Sequence, residues 1–193
     1  MSRAEIKIGG FGGQGVILTG LVLGKAAALF GGKNATMIQS FGPEARGSAC
    51  SSQVVVADEE ILYPYVRQPQ VLVVMSQEAY TKFIGELAPD GVLLYEGDLV
   101  RLDEQVRRRA SHGVPATRIA EGLGNRIVVN MVMLGFVTAV TGLLSEEAVR
   151  DAVRSSVPRG TEELNLLAFS RGVDYGQACL ERVQSSQIPA PGS

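Results

Sequence analysis

The feature that most constrains this chain is Gly10-Phe11-Gly12-Gly13-Gln14-Gly15, set between a short alternating segment, Glu5-Ile6-Lys7-Ile8, and the apolar run Val16-Ile17-Leu18-Thr19. The first flank reads as a strand and the second as the opening turns of a helix, so the glycines predict a tight β–α connection. In that setting glycines let the backbone turn sharply and approach a pyrophosphate, which rests at the positive end of the helix. The same residues also suit a β–α turn that binds nothing, and the local sequence leaves both readings open. With 23 glycines in 193 residues, a short glycine pattern arises easily by chance, so the strand–loop–helix context has to carry the reading.

The rest of the chain alternates apolar runs of strand and helix length. Residues 16–30 read as one helix, with Gly20 and Gly24 on one side for close packing on a sheet and Gly31-Gly32 as its stop. Strands are expected at 34–41, 51–57, 70–76 and 92–96. The run Val71-Leu72-Val73-Val74 lacks alternation, as a strand covered on both faces does. A helix is expected at 79–87 and, by a weaker pattern, over 99–110. There Asp103 and Glu104 precede Arg107 and Arg108 by four residues, which suggests a solvated, ion-paired face. Val114-Pro115-Ala116-Thr117 reads as an edge strand, because proline is poorly tolerated inside a sheet. An apolar helix follows over 127–144, then one that starts at Ser145 with Glu146 and Glu147 in its first turn, and a last one over 162–183. The expected fold is α/β, with a single domain over residues 4–184 and a disordered tail at 185–193. Its sheet is mostly parallel and flanked by helices, with a Rossmann-like first βα unit.

Composition closes several routes. A net charge of -2 and a pI near 5.5 give no reason to expect nucleic acid as a partner. Cys50 and Cys179 stand far apart, no C-x-x-C occurs and His112 is the single histidine, so this chain alone does not supply the ligands of an iron–sulfur cluster or a structural zinc. Two unclustered thiols suit a reducing cytoplasm, which is the expected compartment. His112, in Ser111-His112-Gly113, is expected on a solvated turn. No signal peptide is visible at the N-terminus. Residues 127–144 carry no charge, yet Asn130, Thr138 and Thr141 and the lack of an aromatic belt argue for a core or subunit-interface helix rather than a membrane span.

An NAD site would place an acidic residue about 20 positions beyond the glycines, at the end of the second strand, to hold the ribose hydroxyls. That stretch reads Thr36-Met37-Ile38-Gln39-Ser40, and Glu44 comes only after Gly42-Pro43. A 2′-phosphate would want a basic residue near the same place. Arg46 is nearby, which keeps a stand-alone NAD(P)-dependent enzyme as an alternative. No Lys-Ser/Thr pair follows the loop, which removes a P-loop nucleotide hydrolase. No set of nucleophile, base and orienting group emerges, so no residue is assigned as catalytic.

Three segments in register carry a resemblance. They are Gly9-Gly10-Phe11-Gly12-Gly13-Gln14-Gly15-Val16, then Gly42-Pro43-Glu44-Ala45-Arg46-Gly47 with a strand and Asp58-Glu59-Glu60-Ile61-Leu62-Tyr63-Pro64 behind it, and Asn130-Met131-Val132-Met133-Leu134-Gly135. On these the chain resembles the gamma subunit of 2-oxoacid:ferredoxin oxidoreductases, and its Pro-Glu-Ala-Arg-Gly form is most similar to the 2-oxoglutarate branch. The resemblance implies a complex that oxidatively decarboxylates a 2-oxoacid, with coenzyme A accepting the acyl group and ferredoxin the electrons. It implies alpha and beta partner subunits, possession by those partners of thiamine diphosphate, magnesium and the iron–sulfur cluster, and sometimes a further cluster-bearing subunit. This chain is then expected to help dock coenzyme A and assemble the complex. Backbone amides at Gly12, Gly13, Gln14 and Gly15 would cradle the pyrophosphate beside the helix dipole. Arg46 would pair with a phosphate, and Asn130, if buried in its apolar helix, would face the ligand or the glycine loop. Arg46 is equally suited to pair with Glu44 or a partner's carboxylate, and Asn130 to cap its helix in competition with Asn125. Relatives often continue Arg-Gly with a second glycine where this chain has Ser48. A purely structural interface subunit whose loop binds nothing stays open as well.

Overall fold

Six strands build one sheet: β1 (Arg3–Phe11), β2 (Asn34–Ser40), β3 (Ala49–Ala57), β4 (Val71–Val74), β5 (Val92–Glu96) and β6 (Ser111–Val114). Their spatial order is β2-β3-β1-β4-β5-β6. The computed structural model describes residues 3–41, 49–104, 106 and 110–187. Strands β1, β4, β5 and β6 pair in parallel, whereas β3 runs antiparallel to both β1 and β2. The connection from β2 to β3 is too short for a crossover, and a short connection delivers an antiparallel neighbour. The mostly parallel α/β sheet expected from the sequence is therefore present, with β3 inserted between β1 and β2. In a dinucleotide-binding βαβ unit the second strand would instead lie beside the first.

The helices are α1 (Val16–Lys25), α2 (Gln77–Phe83), α3 (Ala116–Gly122), α4 (Val129–Thr141), α5 (Glu146–Arg154) and α6 (Glu162–Gln187). Side chains of a strand alternate between its two faces. In β4, Val71 and Val73 join the main core with Ile6 and Ile8 of β1 and the buried face of α4, while Leu72 and Val74 join a smaller core with Ala79, Tyr80 and Phe83 of α2. That is why β4 is apolar at every position. Helix α4 is buried from Val129 to Thr138, which is the core role its uncharged sequence suggested. It lies backbone to backbone on α6: a Cβ on Gly135 would overlap the Phe169 carbonyl, and one on Gly172 would overlap the Val132 carbonyl. Among the described residues no helix is long and apolar enough to cross a membrane.

Several local expectations change. The helix at 16–30 is α-helical only to Lys25 and continues as a π-helical turn, Ala26–Phe30, ended at Gly31 and at Gly32 with φ 62°. Gly20 does take α1 close to the sheet, since a Cβ there would lie 2.5 Å from Ser52 Oγ, but Gly24 faces open space. The edge strand is Ser111–Val114 rather than 114–117. Pro115 has no amide to extend the ladder, and its carbonyl accepts from Ile119 at 3.0 Å as α3 begins. No α-helix occurs among the described residues of 99–110. Asp103 is drawn instead to the Tyr80 hydroxyl (2.8 Å) and the Val106 amide (3.0 Å), and Arg107, Arg108 and Arg109 lie outside the described residues. Helix α6 runs to Gln187, into the expected tail, and 188–193 lie outside the described residues. His112 is not on a solvated turn. It is half-buried on β6 with Nδ1 3.6 Å from Cys179 Sγ, and burial pulls its pKa below the ordinary 6.5.

Candidate functional site

The glycine loop leaves the carboxyl end of β1, at the point where α1 packs on one face of the sheet and α2 on the other. Such a divergence opens a crevice at the strand ends, where ligands of open α/β sheets bind. Two residues of the loop need the left-handed region: Gly13 at φ 96° and Gly15 at φ 73°. Gly15 is the N-cap of α1 and brings no side chain to cap it. The amides of the first turn have no intrahelical acceptor, so they and the helix dipole point an uncapped positive end out of the loop.

Gln14 has another role. Its own amide closes the turn on the Phe11 carbonyl at 3.1 Å, its Oε1 accepts from the Phe11 amide at 2.7 Å, and its Nε2 donates to the Met75 carbonyl at 2.8 Å. Of the four loop amides expected to face a ligand, that of Gln14 is thus spent inside the turn, and the residue braces the loop against the end of β4.

Asn130 reaches this loop from α4. It is 3 % exposed, and a Cβ on Gly15 would lie 2.5 Å from its Cγ and 2.7 Å from its Cβ. Glycine at 15 therefore answers two demands, a left-handed φ and the room Asn130 occupies. No hydrogen bond joins the Asn130 carboxamide to another described residue, and its polar atoms are not among the fully buried ones left without a partner, so they keep access to solvent at the loop. The cap of this segment is Asn125, whose Oδ1 accepts from the Ile127 amide at 3.0 Å at the head of a 3-10 turn, Arg126–Val128. Asn130 does not cap this segment and lies against Gly15 of the loop.

A cavity of about 250 Å³ opens here, lined by Gly13, Gln14, Thr117, Arg126, Ile127 and Val129. Thr117 and Arg126 were not singled out from the sequence. Thr117 had been placed in a strand, and Arg126 is a lone cation whose significance depends on a loop far away in the chain. Thr117 is held by Glu96, a fully buried carboxylate at the end of β5. One Glu96 oxygen accepts from the Thr117 amide (3.0 Å) and the other from the Asp98 amide (2.9 Å). Asp98 in turn pairs with Arg118. Arg126 is exposed and has no acidic partner among the described residues. The buried Cys50 is paired with Gly10 across β3 and β1, and burial pushes its thiol pKa up, away from the reactive thiolate. Arg46, Glu44 and Ser48 lie outside the described residues.

Residues 5–175 match the family model described as pyruvate ferredoxin/flavodoxin oxidoreductase. The chain is 48% identical over 177 residues to 2-oxoglutarate synthase subunit KorC of Methanocaldococcus jannaschii, covering 91% of this chain and 95% of that one. In three dimensions it is similar to a keto/oxoacid ferredoxin oxidoreductase gamma subunit from Geobacter sulfurreducens, with a TM-score of 0.83 at 36% identity over 93% of this chain and 99% of the other. The same fold recurs in 2-oxoglutarate:ferredoxin oxidoreductase from Magnetococcus marinus, solved with 2-oxoglutarate, coenzyme A and succinyl-CoA bound. There the TM-score is 0.84 at 23% identity, over 92% of this chain and 32% of that longer one. With the glycine loop, the Asn130 contact and the parallel sheet all inside the matched span, the chain belongs to the pyruvate ferredoxin/flavodoxin oxidoreductase family.

Proposed function

We propose that this chain is the gamma subunit of a coenzyme A-dependent 2-oxoglutarate:ferredoxin oxidoreductase, and that its glycine loop docks the phosphate-bearing part of coenzyme A. The observation that carries the docking role is the meeting of Gly15 and Asn130. It puts an uncapped helix N-terminus next to a carboxamide that makes no hydrogen bond among the described residues, beside a cavity lined by the same loop. Amides of the α1 first turn donate to a pyrophosphate, and Asn130 gains the partner it lacks. The cavity, about 250 Å³, lies below the ~300–1,000 Å³ of pockets that engulf a small ligand, so this chain grips one portion of coenzyme A and leaves the thiol free to reach the acyl group elsewhere. Alpha and beta subunits carry thiamine diphosphate, magnesium and the iron–sulfur cluster, which supply decarboxylation and electron transfer to ferredoxin. Loss of binding to remote parts of a substrate weakens its capture without altering the chemical groups that react.

The test is steady-state kinetics of the reconstituted complex in the cytoplasm-like reducing buffer such an enzyme requires. Asn130→Ala is expected to raise the KM for coenzyme A by about tenfold, the order of one charge-assisted hydrogen bond, with the KM for 2-oxoglutarate unchanged. An unchanged coenzyme A dependence in an intact complex would leave this chain a structural interface subunit. An unchanged rate with every 2-oxoacid when the chain is omitted would remove it from the enzyme altogether.

A further inference from the structure

We infer that Arg126 is a specificity-determining residue of this docking site, the cation that reads a phosphate of the thiol substrate. The inference rests on the coenzyme A reading and adds to it the group that distinguishes a phosphorylated thiol from its unphosphorylated counterpart, pantetheine.

Three observations converge on Arg126. It lines the same cavity as Gly13 and Gln14, so its charge borders the space onto which the loop opens. It is held there by local structure: the Asn125 side chain caps the 3-10 turn that carries Arg126, and the turn passes directly into α4, whose Asn130 is seated on Gly15. The backbone of Arg126 and the α1 N-terminus are therefore joined by a short packed path, and the exposed Arg126 side chain extends from one end of it. Finally, its charge is available. Arg118, on the neighbouring α3, is neutralised by Asp98, whereas Arg126 has no acidic partner among the described residues.

An uncapped helix end offers about half an elementary charge. A pyrophosphate diester carries about two negative charges, and the loop itself contains no cation to balance them. A planar guanidinium supplies paired donors in the geometry of phosphate oxygens. The cavity thus has a cation from the turn before α4 and the loop residues Gly13 and Gln14 on its wall, and the Asn130–Gly15 contact lies next to it in the chain path. Ile127, next to Arg126, is exposed and apolar, which suits the uncharged remainder of the substrate lying alongside.

The experiment compares Arg126→Gln, Arg126→Lys and Asn130→Ala in the reconstituted complex, with coenzyme A and with pantetheine as acceptors and across a salt series. Arg126→Gln is expected to raise the KM for coenzyme A about tenfold, leave kcat and the KM for pantetheine within about twofold, and flatten the salt dependence of the coenzyme A KM. Arg126→Lys, which keeps the charge and loses the fork, is expected to recover part of the loss. Equal losses with coenzyme A and pantetheine would overturn the inference, because a residue that only shapes the site does not sense phosphate. An unchanged KM in Arg126→Gln with a raised one in Asn130→Ala would also overturn it while leaving the loop as the docking site. No change in either variant would defeat the docking proposal together with this inference.

Discussion

Two cavities in this molecule have the same size, about 250 Å³, and different meaning. One borders the glycine loop. The other lies between α1 and the edge strand β2, lined by Leu21, Gly24, Lys25, Ala28, Ala35 and Met37 among others. At the first, Gly13 and Gln14 of the loop meet Arg126, a guanidinium with no acidic partner among the described residues, and the Gly15–Asn130 contact adjoins them. At the second the polar groups do not converge. Lys25 Nζ turns away to the Ser155 carbonyl at 3.3 Å, and Thr36 Oγ1 is buried without a partner among the described residues. Volume therefore does not separate a binding site from a packing defect. What separates them is whether independent elements aim complementary groups at one point.

The sharpest way to test that contrast is to fill a glycine on each side. Gly15→Ala adds a Cβ against Asn130 at a left-handed φ and is expected to cost about 2–3 kcal/mol of stability, together with a raised KM for coenzyme A. Gly24→Ala meets open space inside a helix and is expected to stabilise by about 1 kcal/mol without touching that KM. Thermal melts and kinetics of the two variants read both effects, and equal outcomes would erase the distinction. Thr36→Val, which removes an unpaired buried hydroxyl, is expected to stabilise by about 1 kcal/mol and to leave catalysis as it was. A raised coenzyme A KM in that variant would make the second cavity part of the site.

The smallest effect lies outside both cavities and serves as their control. Burial holds His112 below its ordinary pKa of 6.5, so the unfolded chain binds that proton more tightly than the folded one. The contribution of the neutral ring to stability is complete above pH 6.5 and is lost as pH falls through the folded value. Urea midpoints should drop on acidification less steeply in His112→Gln than in the wild type. Identical slopes would place the histidine's proton equilibrium in solvent.

What was legible in the sequence was what depends on neighbours in the chain. The glycine loop, the buried run of β4, the Ser145 cap and the buried helix α4 could all be read from a few consecutive residues. Asn130 could be singled out because one amide in an apolar helix demands a partner. The insertion of β3 between β1 and β2 could not, because strand neighbours are chosen by long-range pairing. The start of α3 escapes a local reading, because a proline such as Pro115 suits the edge of a strand as well as the opening of a helix. Segment 99–110 has helical charge spacing, yet the Tyr80 hydroxyl claims Asp103 from across the fold. Arg126 stayed hidden for the same reason. Its value depends on a cavity wall supplied by Gly13 and Gln14, and nothing beside it in the chain announces that.

On the proposed function, the amides at the head of α1 receive a phosphate of coenzyme A. Hydrogen–deuterium exchange of the assembled complex, with and without coenzyme A, measures it at the atoms concerned. Protection of the Val16, Ile17 and Leu18 amides on adding coenzyme A, reduced in Asn130→Ala, is the predicted result. Coenzyme A-dependent protection confined to partner subunits, with these amides exchanging as before, would contradict it.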